Sequence, residues 1–171
     1  MRFRPALLSL LAMTALLASG CGHYQLGTEG KLAFTTLYVA PVGNATMLPQ
    51  AQAAVSTQLR DVLGRDGRVS LVNEPAAADA TLTVTLKDYH RDVRAVREDD
   101  TGLARKFALT LAAECTLHDN RSGRDLFAKR AISVSRDAFT DGGQLQAEYQ
   151  VVPLLADALA QKVSHAVLDV W

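Results

Sequence analysis

The clearest pattern in the chain lies between Lys106 and Leu117, where Phe107, Leu109, Leu111, Ala113, Cys115 and Leu117 alternate with Lys106, Ala108, Thr110, Ala112, Glu114 and Thr116. A period of two sustained this long predicts a strand with one covered face and one open face. The same alternation sets Leu82, Val84 and Leu86 against Thr81, Thr83, Thr85 and Lys87. Residues 88–102 are charged and read as an extended arm that turns at Asp99-Asp100-Thr101-Gly102. After a second turn over 119–124, residues 125–135 form another strand, with Leu126, Ala128, Ile132 and Val134 directed inward. Arg130 shares that parity, which predicts a bulge or a strand end that lets its head reach water.

Two other stretches carry the helical period. Leu48, Ala51, Val55, Leu59 and Val62 recur at three and four, with Pro49 suited to a helix opening and Gly64 to a stop. Gln52, Arg60 and Asp61 fall on the side toward water. Short strands at 35–41 and 69–72 flank this helix, the first ended by a turn at Gly43-Asn44. Strand, helix and strand joined this closely predict parallel pairing with a right-handed crossover. Residues 73–78 read as a connector. Residues 144–171 form a final helix on the stripe Leu155, Leu159, Val163, Ala166 and Val170, with Pro153 marking a kink or a start near Val152. The order is β-α-β-β-β-β-α at most. It predicts an α+β fold in which two helices pack on one face of a mixed, mainly antiparallel sheet of about four to five strands.

The N-terminus is of another kind. Arg2 and Arg4 precede an uncharged run from Ala6 to Ala18, long enough for a secretory h-region and too short to span a bilayer. Small residues at Ala18, Ser19 and Gly20 lead directly to Cys21, the arrangement of a lipoprotein cleavage box. Residues 1–20 are therefore expected to be a signal peptide, Cys21 the acylated first residue of the mature chain, 21–34 a lipidated tether, and 35–171 one domain. Several acyl chains, at ~0.8 kcal/mol per buried methylene, anchor effectively permanently. Gly22 rather than Asp after the Cys resembles bacterial lipoproteins sorted to the outer membrane. Beyond the signal peptide no apolar run approaches the length of a membrane span, so anchoring is expected through lipid alone.

Cleavage would remove Arg2 and Arg4 from the 18 basic residues, leaving 16 against 18 acidic, a net of −2. Such a balance argues against nucleic acid as a partner, since phosphate contacts require a basic surface. Cys115 sits inside the alternating strand and reads as a small buried hydrophobe. His23, His90, His118 and His165 lack the spacing of a metal pair, and no nucleophile elbow, phosphate loop or Cys-x-x-Cys occurs. No catalysis, metal or cofactor is expected. Two surfaces carry candidate function. The first is the arm holding Arg91, Arg94, Arg97, Arg105 and Lys106, whose guanidinium groups suit an anionic headgroup. The same stretch holds Asp92, Glu98, Asp99 and Asp100, so a solvated hairpin with cross-strand pairs is the competing reading. The second is the open sheet face of Thr81, Thr83, Thr85, Ala108, Thr110 and Ala112, flat enough to dock a partner or simply to face water.

Taken together, Cys21-Gly22, the strand Leu37-Tyr38-Val39-Ala40-Pro41 leading to Asn44-Ala45-Thr46, Gly67-Arg68-Val69-Ser70-Leu71-Val72, Ala78-Asp79-Ala80-Thr81-Leu82, the turn Asp119-Asn120-Arg121-Ser122-Gly123-Arg124 and the long last helix resemble the outer-membrane LPS-assembly lipoprotein family (LptE). The resemblance implies two helices on a sheet of about four strands, no catalysis, and a lipid-anchored protein of the outer membrane facing the periplasm. It further implies a plug that helps assemble the LPS-exporting β-barrel LptD. Contact with lipopolysaccharide is implied through a basic hairpin, corresponding here to Arg94, Arg97, Arg105 and Lys106. The alternative is a periplasm-facing lipoprotein that activates a peptidoglycan synthase or supports a secretion pore, since such proteins share the strand, Asn, helix, Gly-Arg, strand, Ala-Asp opening.

Overall fold

The alternating segments become three long strands. The computed structural model describes residues 32–96, 104–140 and 143–169. In chain order the elements are β1 (Thr36–Val39), β2 (Gly43–Asn44), α1 (Pro49–Asp66), β3 (Ser70–Val72), a 3-10 turn (Pro75–Ala77), β4 (Ala80–Val96), β5 (Ala104–Asp119), β6 (Arg124–Phe139) and α2 (Gln144–Leu168). The sheet order is β3-β1-β4-β5-β6, with β2 pairing β4 beyond the end of β1. β1 pairs in parallel with both β3 and β4, as the tight strand–helix–strand unit requires. β4, β5 and β6 are antiparallel. Two helices thus pack on a mixed sheet, the α+β architecture expected, with five to six strands.

The covered face is the odd parity of β5. Leu109, Leu111, Cys115 and Leu117 are fully buried, as are Leu82, Val84 and Leu86 on β4. α1 supplies Ala51, Val55, Leu59 and Leu63, while α2 supplies Leu155, Leu159 and Val163. Phe34, at 2% exposure, and the partly buried Leu32 join this core ahead of β1. Burial pushes the Cys115 thiol up to about 12, as suits a residue that packs and does not react. α2 is long and apolar enough to cross a membrane by length and composition, which corrects the expectation that no such run follows the signal peptide. Most of its apolar residues from Val151 onward are buried in the domain, so it is a core helix here, although Leu145, Tyr149 and Leu154 are exposed.

Several local expectations change. The first strand stops at Val39, and Gly43-Asn44 is not its closing turn but a second short strand against Thr85 and Leu86. Gly43 suits that register because a Cβ there would lie 3.1 Å from Thr85 Oγ1. Gly64 does not stop α1. The helix continues to Asp66 and ends at Gly67, whose φ of 76° is the left-handed conformation of a helix C-terminus. Gln52 is exposed as expected and Arg60 is half-buried, and both also tie α1 to the loop beside it: Gln52 Nε2 donates to the Val42 carbonyl at 2.7 Å and Arg60 Nη2 to the Val39 carbonyl at 2.9 Å. α2 runs through Pro153 without a new start.

β6 carries the bulge anticipated from Arg130. Cys115 pairs with Arg130 and Leu117 with Phe127, so two residues of β6 oppose Thr116 alone. Lys129 absorbs the irregularity at φ 49°. The extra residue shifts the parity, so Phe127 is buried in place of Ala128, and Leu126 is only partly covered. Arg130 lies over the Phe127 ring at 4.2 Å and reaches out to the Ala166 carbonyl at 3.2 Å.

Candidate functional site

At the far end of β4, β5 and β6, the ladder is interrupted twice within a few residues. Val93 pairs with Phe107, Ala95 with Lys106 and Val96 with Ala104, so Arg94 on one strand and Arg105 on the other are each left out of the pairing. Bulges of this kind turn a side chain away from the regular face. Both arginines are exposed, and neither has an ion-pair partner among the described residues. The Arg105 carbonyl accepts from Thr140 N at 3.1 Å and from Thr140 Oγ1 at 3.2 Å, which fixes the backbone where β6 leads to α2.

The other cations of the predicted cluster are already engaged. Lys106 Nζ lies 2.8 Å from Asp137 Oδ2 and 5.4 Å from the centre of the Phe139 ring. Arg91 Nη1 donates to Glu148 Oε1 at 2.6 Å, and its guanidinium lies 5.7 Å from the Phe107 ring. Asp137 and Glu148 were invisible as partners in the sequence because they arrive from β6 and α2, more than 30 residues away along the chain. Of the described members, Arg94 and Arg105 therefore remain as free guanidinium groups. Arg97, with the turn predicted at 99–102, lies outside the described residues, as do Cys21, the signal peptide and residues 22–31.

The open face holds its predicted character over most of its length. Thr83 is exposed, Thr81, Thr85, Thr110 and Ala112 are half-buried, and neither α1 nor α2 covers them. Thr110 Oγ1 donates to Ser135 Oγ at 3.3 Å, extending the row of small hydroxylic side chains onto β6. Ala108 is the exception at 3% exposure, because it sits between Asp92 and Asp137, whose longer side chains rise around it. Toward the same end, Asp88 Oδ2 and His90 Nδ1 lie 2.7 Å apart on alternate positions of β4.

A feature missed in the sequence is an open cleft of about 270 Å³ between the outer edge of β6 and α2, lined by Val134, Ser135, Arg136, Gln161, Lys162 and His165 among others. Lys162 Nζ donates across it to the Ser133 carbonyl at 2.9 Å, satisfying an edge-strand acceptor that has no neighbouring strand. No group of three or more His, Cys, Asp or Glu suited to a metal ion occurs among the described residues.

The opposite end of the sheet is a rigid knot. Asp79 Oδ2 accepts from Thr35 N, Thr35 Oγ1 and Thr36 N, which hold its carboxyl well below the usual carboxylate range. Asn120 Nδ2 donates to the Ala78 carbonyl at 2.9 Å, and Arg121 donates to the Ala33 carbonyl. The start of the domain is thereby tied to the β5–β6 turn, and the free arginines stand at the other end of strands roughly 55 Å long.

Solved structures share this architecture. A minor lipoprotein from Acinetobacter baumannii superposes with a TM-score of 0.54 at 18% identity, over 81% of this chain and 95% of that one. A protein from Xanthomonas campestris gives 0.62 at 11% identity, over 82% and 86%. Lipoprotein B from Nitrosomonas europaea gives 0.55 at 17% identity, over 86% and 88%. At these identities the likeness is one of fold. No curated protein matches the chain. The family model for LptE, described as lipopolysaccharide-assembly, matches residues 34–166, from the first buried aromatic to the last turns of α2, and the chain belongs to that family.

Proposed function

We propose that this chain is a non-catalytic lipoprotein of the cell outer membrane, facing the periplasm, that plugs and helps assemble the LPS-export β-barrel LptD and assists insertion of lipopolysaccharide. In this reading residues 1–20 are removed, Cys21 carries the acyl chains, and 21–34 is a tether whose last residues, Leu32 and Phe34, pack onto the core of the working domain 35–171. The observation that carries it is the uncovered face of the β4–β5–β6 ribbon. Around Thr83, Thr110, Ala112 and Ser135 the side chains are small and present little relief, which allows another backbone to approach closely. Such a surface suits the inside of a barrel wall better than it suits a mobile solvent layer. Membership of a lipopolysaccharide-assembly family supports the same partner.

Arg94 and Arg105, with Arg97 between them in the chain and Lys106 beside them, are the lipopolysaccharide contacts in this reading. A free guanidinium can bind phosphate in a bidentate manner, whereas Lys106 must first leave Asp137. The test is a photo-crosslinking amino acid at Thr110 or Thr83 in the protein as it sits in its native outer membrane. Capture of a very large β-barrel at both positions is expected. Capture of a peptidoglycan synthase or a secretion channel at these positions would overturn the plug in favour of the other class of lipoprotein. For the lipid contact, Arg94→Ala, Arg97→Ala and Arg105→Ala together should weaken binding to purified lipopolysaccharide at low salt. Unchanged binding would remove the hairpin site and leave the plug standing.

A further inference from the structure

The two helices cover unequal lengths of the sheet. α1 begins beside Asn44, whose Nδ2 donates to the Leu48 carbonyl at 3.1 Å, and Asn44 pairs with Leu86 midway along β4. From there α1 runs back to Asp66, near β3. α2 starts beyond Phe139 at the far end and returns to the same base, where Arg68 Nη1 donates to the Leu168 carbonyl at 3.3 Å. Its 25 residues span about 37 Å against about 27 Å for the 18 of α1. Beyond Leu86, the covered face of β4 therefore has α2 to one side and, among the described residues, no element in the place of α1.

The helical period shows what this leaves open. At 100° per residue, Leu145, Tyr149, Val152, Ala156, Ala160, Val163 and Val167 form one stripe. From Val152 onward every member is buried, while Leu145 is 70% and Tyr149 61% exposed. Across the gap on β4, Val93 is 57% exposed. The Arg91–Glu148 bridge crosses between the two walls, with Phe107 beneath it. Tyr89, two residues behind Arg91, keeps a buried hydroxyl with no hydrogen-bond partner among the described residues. Burial, and then the nearby Glu148, raise its pKa, so the hydroxyl stays a neutral donor in need of an acceptor. Leu154, also exposed, lies about 180° from Leu145 around the helix and belongs to the other side.

We propose that this slot, walled by Val93 on β4 and by Leu145 and Tyr149 on α2, holds an acyl chain of lipopolysaccharide, with Arg94 and Arg105 at its end taking the phosphorylated headgroup. The inference rests on the lipopolysaccharide contact proposed above and adds a site for the apolar half of the molecule. The occupant follows from the chemistry at the mouth: an apolar trough with two guanidinium groups at its end, neither paired among the described residues, fits an amphiphile whose anionic and apolar parts are joined. A helix from another protein could fill the gap left by α1, and the experiment separates the two.

The full chain, purified with its anchor in mild detergent, is titrated with intact lipopolysaccharide and with lipopolysaccharide stripped of its acyl chains. Intact lipopolysaccharide should bind at least tenfold more tightly, and Leu145→Asp or Val93→Asp should reduce that difference to less than threefold. Leu154→Asp should leave it unchanged. As these side chains are mostly exposed, folding is checked by an unchanged thermal transition. A second measurement reads location directly. Tyr149→Trp is placed in a Trp171→Phe background, removing the chain's one native tryptophan, and mixed with lipopolysaccharide bearing brominated acyl chains. Quenching by more than half is expected. Equal binding of intact and stripped forms, absence of quenching, or an equal loss from Leu154→Asp each overturns the slot while leaving the headgroup contact standing. Failure of both forms to bind overturns the slot and the headgroup contact together. Wild-type lipid binding in Leu145→Asp, combined with loss of a protein crosslink at Tyr149, assigns the gap to a partner helix instead.

Discussion

The carboxylate of Asp79 accepts two hydrogen bonds from Thr35, from N and from Oγ1, both at 2.8 Å. Thr36 N adds a third at 3.0 Å, and Thr36 Oγ1 accepts from Asp79 N at 2.8 Å. The exchange closes the register between the head of β1 and the head of β4. Asp79→Ala should lower the thermal midpoint by several degrees, and Asp79→Asn, which keeps an acceptor but loses the charge, by less. The folded pKa is depressed, so the stabilisation is complete above the ordinary carboxylate value of ~4 and is lost as pH falls below it toward the folded value. Urea midpoints measured from pH 6 to pH 2 should therefore converge between wild type and Asp79→Asn at the acid end. A constant gap would contradict the assignment.

Arg68 fastens both helix C-termini at once. Its Nε and Nη2 donate to the two Asp66 oxygens at 2.6 and 3.0 Å, and its Nη1 reaches the Leu168 carbonyl and, at 3.1 Å, Asp169 Oδ1. A lysine cannot reproduce that fork. The side chain is 35% exposed, so screening limits its contribution; Arg68→Lys should cost about 1 kcal/mol and Arg68→Ala somewhat more. Equilibrium denaturation checks this, and hydrogen exchange should show the loss concentrated in the last turn of α2.

Lys129 occupies the left-handed region at φ 49° because the β6 bulge requires it, with its N–H donating to Thr116 Oγ1 at 3.1 Å. A side chain in that conformation costs roughly 1–2 kcal/mol, and glycine removes the strain while adding freedom to the unfolded chain. Lys129→Gly should therefore stabilise by a net ~0.5 kcal/mol in chemical denaturation. Lys129→Val, branched at Cβ, should destabilise.

Periodicity made the three long strands and both helices legible, because a single buried face imprints a period of two or of 3.6 on the residues facing it. It also exposed Arg130 as a discord, and the bulge is there. What it could not give was anything decided across the sheet. Gly43-Asn44 has the composition of a turn, and only the neighbouring Thr85 and Leu86 make it a strand. Gly64 and Gly67 are equally good stops in sequence; packing of α1 along β3 carries the helix past the first. The basic arm was visible, but its net charge concealed which cations were free. Asp137 and Glu148 neutralise Lys106 and Arg91 from other elements, leaving Arg94 and Arg105. The step between the helices depends on the difference in their reach along the sheet, which no single stretch encodes.

The helix pair itself rests on a row of small residues. Ala156, Ala160 and Ser164 follow one another at intervals of four along α2 and are at most 5% exposed, in the stretch of α2 that runs alongside α1. Small side chains let the axes approach, so the row sets the distance between the helices and with it the width of the covered face. Ala160→Leu adds three carbons at a fully buried position and should cost about 1–3 kcal/mol through displaced neighbours. Gln161→Leu, one residue on and exposed, is the control and should change stability by less than about 0.5 kcal/mol. The measurement is denaturant unfolding of both variants under identical conditions. If Ala160→Leu were as stable as wild type, the helices would be separable at that level and the small-residue row would not be what sets their spacing.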